Sequence, residues 1–197
     1  MKQRGSSPSI SELSIAPKGQ HGYDCAEVDE YFSVLAKDFN LLRAGYTRGV
    51  TNTSGRIRSK NFTGVSGGYL AADVDKALDR VEDRFAEYER SIFINSRGRA
   101  VFDKMVAADS QLIMGRLNRP DGHRFRRPRR GLTKGYYVRD VDALCQQLKK
   151  DFTGAIPSNP ALIRSAVFRS ATGNVCYEET QVDAFLDRCI KLILNLR

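Results

Sequence analysis

The chain has 197 residues, of which 41% are hydrophobic and 28% are charged, enough for one large or two small domains with a hydrophobic core. Its formal net charge of +9 suits an acidic partner surface, such as anionic lipid or nucleic acid. No segment approaches the roughly eighteen consecutive apolar residues of a membrane-spanning helix, and the basic N-terminus lacks the apolar core of a secretory signal.

In chain order, we predict four parts with different roles. Residues 1–18 are expected to form a flexible N-terminus. A first pair of repeated segments with a connecting helix follows at 19–118, and a basic loop at 119–134. A second pair of repeated segments occupies 135–197. The boundary between the halves is placed near 118–124, where the sequence NRPDGHR is typical of a loop.

Each repeated segment predicts one amphipathic helix that begins at a Val-Asp pair. Apolar residues recur four, seven and eleven positions after each valine, which is the spacing of one helical face. These stripes are Val28, Phe32, Leu35 and Phe39; Val74, Leu78, Val81 and Phe85; Val141, Cys145, Leu148 and Phe152; Val182, Leu186, Cys189 and Ile193. Each stripe covers only about two heptads, so the helices should pack on one another and not form a long coiled coil.

The Val-Asp pairs belong to a longer motif that occurs four times. In each copy a tyrosine lies five residues before the valine, and a hydrogen-bond acceptor directly precedes the valine. The motif residues are Tyr23, Val28, Asp29, Tyr69, Val74, Asp75, Tyr136, Val141, Asp142, Tyr177, Val182 and Asp183. Glycine precedes the tyrosine in three copies, at Gly22, Gly68 and Gly135, and we expect it to supply a positive φ angle.

The four copies form a duplicated pair. The first copy resembles the third, since both continue from Val-Asp to Leu-x-Lys-Asp-Phe. The second resembles the fourth, since IRSKNF and IRSAVF precede them. Few strand signals are visible, so the sequence predicts an all-α fold: four short helix-start modules arranged as two tandem pairs of helical hairpins, with no long coiled coil.

Several residues are expected to fix the starts of the helices. Asp24 and Glu27 have the spacing of a capping box, and Asn159 followed by Pro160 predicts the start of a short helix. Arg58 and Arg164 are expected to form structural ion pairs with a carboxylate of their own module, such as Asp75 or Asp183. The four motif tyrosines are expected to pack beside the helix N-termini.

The segments GYDCAEVDEYF and CYEETQVDAFLD resemble the DivIVA domain of Gram-positive bacteria, and four copies in one chain are similar to the multi-copy DivIVA-domain repeat proteins. The resemblance implies a cytoplasmic scaffold of cell division or polar growth. Such a protein would bind other proteins, itself included, and lie at the inner face of the membrane. Long DivIVA proteins expose an apolar residue and an arginine just before Gly-Tyr. The matching positions here are Gln20-His21, Ser66-Gly67, Thr133-Lys134 and Asn174-Val175, and none of them has that pair.

The segment HRFRRPRRGLTK, residues 123–134, is the most basic part of the chain. Its cations are Arg124, Arg126, Arg127, Arg129, Arg130 and Lys134. One interpretation is a site for an anionic surface, either a membrane or, as an alternative function, nucleic acid. The other is an interdomain linker anchored by Phe125, which we interpret as the third copy's counterpart of Phe62 and Phe168.

Catalytic and metal-binding patterns are missing from the sequence. Both histidines lie in predicted loops, and no Ser-His-Asp set, phosphate-binding loop or metal-ligand spacing is present. None of Cys25, Cys145, Cys176 and Cys189 forms a C-x-x-C pair, so we predict reduced thiols. We expect a protein that is not an enzyme and needs no cofactor.

Overall fold

The structure is a computed structural model that describes residues 13–129, 132–154 and 159–197. The chain divides into two compact units, the first ending at Arg97 and the second beginning at Gly98. The sequence analysis places the boundary near 118–124 instead. The connecting helix therefore belongs to the second unit, where it contacts the two long helices that follow it.

The first unit combines three helices with a two-stranded antiparallel sheet. Its elements are β1 (His21–Tyr23), α1 (Cys25–Arg43), α2 (Ser54–Arg58), β2 (Gly64–Ser66) and α3 (Ala71–Arg97). Strands β1 and β2 pair with Gly22 opposite Val65.

The second unit repeats this order after one additional helix, α4 (Arg99–Leu117). Its further elements are β3 (Lys134–Tyr137), α5 (Val138–Thr153), α6 (Pro160–Arg164), β4 (Ser170–Thr172), a 3-10 turn (Gly173–Val175), β5 (Cys176–Tyr177) and α7 (Glu179–Leu196). The sheet has the order β4-β3-β5, with both pairings antiparallel. The strand–long helix–short helix–strand–long helix order thus occurs twice, as the duplicated pair predicts.

The all-α prediction is wrong because two small antiparallel sheets accompany the helices. The strands contain only two to four residues each. Such strands are too short to show the alternation of apolar and polar residues from which a strand is predicted. The predicted absence of a long coiled coil agrees with the structure: the longest described helix, α3, has 27 residues, and its buried residues end at Ala86.

The predicted helical stripes form the core of each unit. Val28, Val74, Val141 and Val182 are completely buried. Burying a valine or leucine side chain contributes about 1.5–3 kcal/mol, so the stripe is the main stabilising feature of each module. Phe152, at the end of the third stripe, is half-buried.

The predicted cap at Asn159 forms, whereas the predicted capping box of Asp24 and Glu27 forms only in its Asp24 half, since the Glu27 side chain bonds Thr63. Asp24 Oδ1 accepts the backbone N–H of Glu27 at 2.9 Å, and Asn159 Oδ1 accepts that of Ala161 at 3.0 Å. The prediction of a flexible N-terminus over 1–18 is wrong for its last residues, because Ile15 pairs with Tyr69 and Ala16 is buried. Residues 1–12 lie outside the described residues. No helix in the described residues is long and apolar enough to cross a membrane.

Candidate functional site: the crossed Tyr–Asp caps

The two motif tyrosines of each unit lie directly opposite each other. In the first unit, the backbone N–H groups of Tyr23 and Tyr69 each donate to the carbonyl oxygen of the other, both at 2.8 Å. In the second unit, Tyr136 is the strand partner of Tyr177. The chain therefore passes itself at the same motif position in both units, and we call each of these places a crossing.

The prediction that the glycine before the tyrosine supplies a positive φ angle is wrong. The glycine is required because the backbone of the opposite motif lies too close for a side chain. None of Gly22, Gly68 and Gly135 has a positive φ. A Cβ atom at Gly22 or Gly68 would lie closer than 3.0 Å to the backbone of the opposite motif, and one at Gly135 would clash with the carbonyl of Tyr177. A side chain at these positions would force the two strands apart.

Each motif tyrosine is hydrogen-bonded to the aspartate of the other module in its unit. Tyr69 Oη donates to Asp29 Oδ1 at 3.2 Å, and Tyr177 Oη donates to Asp142 Oδ1 at 3.1 Å. The reciprocal bonds join Tyr23 to Asp75 and Tyr136 to Asp183. The fixed spacing of tyrosine and aspartate is thus explained: each module provides one donor and one acceptor to its partner.

Burial at the crossing raises the pKa of the motif tyrosines. It raises the pKa of Tyr136 and that of Tyr177 to about 12, so both hydroxyls stay protonated donors at neutral pH. Partial desolvation also raises the pKa of Asp75 and of Asp183, although the tyrosine hydrogen bond acts in the opposite direction.

A short segment before each module, which we call its arm, completes the cap of the other module in the same unit. The four arms contain residues 13–14, 62–63, 125–126 and 168–169. The residue after each motif tyrosine donates its N–H to a carbonyl on this arm. The four bonds are Asp24 to Thr63 (2.9 Å), Leu70 to Ser14 (2.7 Å), Tyr137 to Arg169 (2.8 Å) and Glu178 to Arg126 (3.0 Å). The aromatic residue before the acceptor packs on the partner's tyrosine in three cases: Phe62 on Tyr23, Phe168 on Tyr136 and Phe125 on Tyr177, with ring centroids 5.0–5.3 Å apart.

Phe125 is therefore the counterpart of Phe62 and Phe168, as the sequence analysis interpreted it, and it is buried. Leu13 occupies the same place on the fourth arm and packs against the core of the first unit.

The acidic residue before the valine binds the same arm. Glu27 accepts the backbone N–H of Thr63 at 2.9 Å and its hydroxyl at 2.8 Å, and Asp140 accepts the backbone N–H of Arg169 at 3.0 Å. Asp73 accepts the N–H of Ser14 at 3.3 Å. These bonds lower the pKa of the three carboxyls, chiefly through the Thr63 backbone for Glu27, the Arg169 side chain for Asp140 and Ser14 for Asp73.

The basic segment forms the arm of the second unit, and its first arginine lies in the interior. Arg124 is 4% exposed and makes an ion pair with Asp142 at 2.8 Å and another with Asp121 at 2.5 Å. Its backbone N–H donates to Tyr177 Oη at 3.2 Å. Arg124 therefore neutralises a motif aspartate and is not presented to a surface ligand.

The other cations of the segment differ in exposure. Arg127 is half-buried, stacks 4.7 Å from the centre of the Tyr177 ring and donates to the carbonyls of Gly122 and Cys176. Arg126 is exposed and forms an ion pair with Glu178 at 2.5 Å. Arg129 and Lys134 are exposed, and Arg130 lies outside the described residues. Of the predicted cationic site, only Arg126, Arg129 and Lys134 are exposed in the described residues, fewer than the sequence indicates.

Arg58 forms an ion pair with a carboxylate of its own module, as predicted; the partner is Glu82 of α3, and Asp75 was the example given. Glu82 is 2% exposed, so the pair ties α2 to α3 beneath the surface. Asp183, the partner predicted for Arg164, is hydrogen-bonded to Tyr136. The ion pair of Arg164 stays a prediction.

All four cysteines are free thiols, and only Cys25 is partly exposed. Burial raises the pKa of Cys145 to about 12 and also raises that of Cys189. The described residues contain no group of three or more His, Cys, Asp or Glu side chains that could hold a metal ion.

Comparison with protein-family models, with curated proteins and with solved structures found no match to this chain. The resemblance to DivIVA-domain proteins therefore depends on the motif residues alone and stays a prediction.

Sequence reasoning missed the arms and the exchange of hydrogen bonds between modules. The signal was present in part, because Phe62 and Phe168 precede the second and fourth motifs in matching hexapeptides. The acceptors that the four arms share, at Ser14, Thr63, Arg126 and Arg169, are backbone carbonyls, which leave no common residue preference to detect. Sequence reasoning also missed the buried Asp38, which accepts the N–H groups of Thr51 and Asn52 at 2.9 and 2.8 Å.

Proposed function

We propose that this chain is a non-enzymatic, DivIVA-like interaction module that scaffolds partner proteins in cell division or polar growth. The motif residues support this proposal because they build two similar caps, in which their tyrosines and aspartates are hydrogen-bonded to each other. The two units then offer separate surfaces to partners.

A further part of the proposal is that the second unit contacts the inner face of an anionic membrane. The observation that carries it is Leu132, which is 92% exposed. It lies two residues before the exposed Lys134, at the end of the sheet where β3 begins and β4 ends. An apolar side chain near an exposed cation suits the interface of an anionic bilayer.

Vesicle co-sedimentation tests the membrane contact. We expect the chain to bind vesicles with anionic lipid more strongly than vesicles of phosphatidylcholine alone. The variant Leu132→Ser should lower binding at least tenfold, because inserting its apolar side chain is worth about 1.5–3 kcal/mol. Val167→Ser is the matched control, since Val167 is 91% exposed but lies before the opposite end of β4.

Duplex DNA at matched salt is the competing ligand in the same assay. The substitutions Arg126→Gln and Arg129→Gln remove exposed charge and spare Arg124 and Arg127, which hold the fold. DNA binding that these substitutions abolish, together with vesicle binding that Leu132→Ser does not change, would replace the membrane proposal with the nucleic-acid alternative.

A further inference from the structure

A groove on the first unit lies between α1 and the segment that leads into β2. It has a volume of about 610 Å³ and is lined by Glu27, Glu30, Tyr31, Val34, Lys60, Asn61, Phe62 and Thr63. Two aromatic rings form one part of its wall, and two carboxylates lie beside them. This combination of rings and negative charge suits a cationic side chain.

The groove already holds one cation of its own chain. The Nζ atom of Lys60 lies 5.3 Å from the centre of the Tyr31 ring and 5.1 Å from that of the Phe62 ring. Both distances are within the range of a cation–π interaction. Lys60 is exposed, so its ammonium can leave the rings for water without unfolding the unit.

The walls of the groove are held in place by contacts on their far sides. Tyr31 Oη donates to Asn52 Oδ1 at 3.3 Å, and Asn52 is bonded to the buried Asp38. Phe62 packs on Tyr23, and Glu27 is fixed by its two bonds to Thr63. A preformed site loses little entropy when a ligand binds, which favours binding.

The second unit offers an internal comparison. Aligning Val28 with Val141 and Ile57 with Ile163 places Ala143 at the position of Glu30, Leu144 at that of Tyr31 and Ala166 at that of Lys60. Phe168 matches Phe62 and makes the same contact with a motif tyrosine. The cap therefore forms without Glu30, Tyr31 or Lys60, and these residues are not needed to build a unit.

We propose that this groove binds a lysine side chain of a partner protein and that Lys60 occupies it in the absence of the partner. The partner's ammonium replaces that of Lys60 over the Tyr31 and Phe62 rings, next to the carboxylate of Glu30. The inference rests on the proposed role as an interaction module, for which it supplies the partner's chemistry. It requires no part of the second unit.

The test is a titration of the full ¹⁵N-labelled chain with a blocked pentapeptide that has one central lysine, and with the same peptide carrying glutamine. We expect the lysine peptide to shift the backbone amides of Tyr31 and of residues 60–63. Lys60→Ala should tighten its binding at least threefold, because the competing cation is gone. Glu30→Gln should weaken it at least threefold.

Glu87→Gln provides the charge control, since Glu87 is an exposed carboxylate of α3 that pairs with Arg84. It should leave the affinity unchanged. Equal binding of the glutamine peptide, no gain from Lys60→Ala, or equal shifts at Leu144 and Ala166 would overturn the inference. The vesicle assay tests residues of the second unit, whereas this titration tests residues of the first. The outcome of one therefore does not decide the other.

Discussion

The hydroxyl of Tyr177 provides the sharpest test of the crossed caps. Tyr177→Phe removes the donor to Asp142 and the acceptor of the Arg124 backbone N–H, and leaves the ring in place. The tyrosine is completely buried, and both of its partners are about 4% exposed. A buried polar group left without its partner costs about 1–3 kcal/mol, so we expect a loss of roughly 2 kcal/mol in the free energy of unfolding.

Tyr69→Phe is the matched control in the first unit. It removes the equivalent bond to Asp29, but Asp29 is exposed and water can replace the lost donor. We expect a change of about 0.5 kcal/mol or less, as for most surface substitutions. The two variants change the same atom at equivalent positions, so the difference between them measures the effect of burial together with the loss of the additional Arg124 bond.

Equilibrium unfolding in urea, followed by circular dichroism, measures both changes. With a slope of about 1–3 kcal/mol per molar urea, a loss of 2 kcal/mol moves the midpoint of the affected transition by roughly 1 M. The two units can unfold in separate transitions, and only that of the second unit should move in Tyr177→Phe. Equal small shifts in both variants would refute the assignment of Tyr177 and Asp142 to a buried bond.

Two further predictions concern the crossing and its arms. Gly22→Ala should destabilise the first unit by about 1–3 kcal/mol through steric overlap in the same urea assay, whereas Gly55→Ala, which has open space, should be neutral or stabilising. The carboxyl of Asp140 should titrate below its ordinary value in an NMR pH titration, and Arg169→Gln should raise its pKa toward normal. Because this pKa is lowered in the folded state, the stabilisation is present above the unfolded pKa and is lost as the pH falls through the folded one. A normal pKa for Asp140 in the unsubstituted protein would contradict the contact.

The helices could be predicted from the sequence because burial on one face imposes a period. Val28, Phe32 and Leu35 fill the core at successive turns of α1, and any polar residue there would cost several kcal/mol. The same constraint acts on α5 and α7, so the duplicated order of elements was also visible. The motif tyrosines were correctly expected near the helix starts.

The strands and the exchange between modules could not be predicted from the same pattern. β1 and β2 pair through backbone atoms, which impose little on the choice of side chain. Only the glycines Gly22 and Gly68 indicate the close backbone contact, and in a sequence a glycine kept for lack of space looks the same as one kept for a positive φ. The ion pair of Arg58 was expected at a carboxylate of its own module, with Asp75 as the example. The structure uses Glu82, seven residues or about two helical turns further along α3, while Asp75 is bonded to Tyr23.

The basic segment shows why composition alone exaggerates a cationic surface. Arg124 could be counted as a charge in the sequence, but nothing in its neighbours indicates that it pairs with Asp142, eighteen residues away. Burying the aspartate in the second unit requires this cation, since an unpaired carboxylate in the interior would be protonated or would destabilise the fold. The corresponding Asp29 is exposed, and no cation of that kind is needed.

The duplication separates residues that build a cap from residues that are free to act elsewhere. The motif tyrosine, valine and aspartate are the same in both units, as Tyr23 and Tyr136 are, because each backbone crossing imposes the same geometry. Positions 60 and 166 differ, lysine in one unit and alanine in the other, although the phenylalanine two residues later makes the same contact in both. Since the fold does not require that lysine, its place over two aromatic rings is the strongest indication in the first unit of a surface that binds a partner.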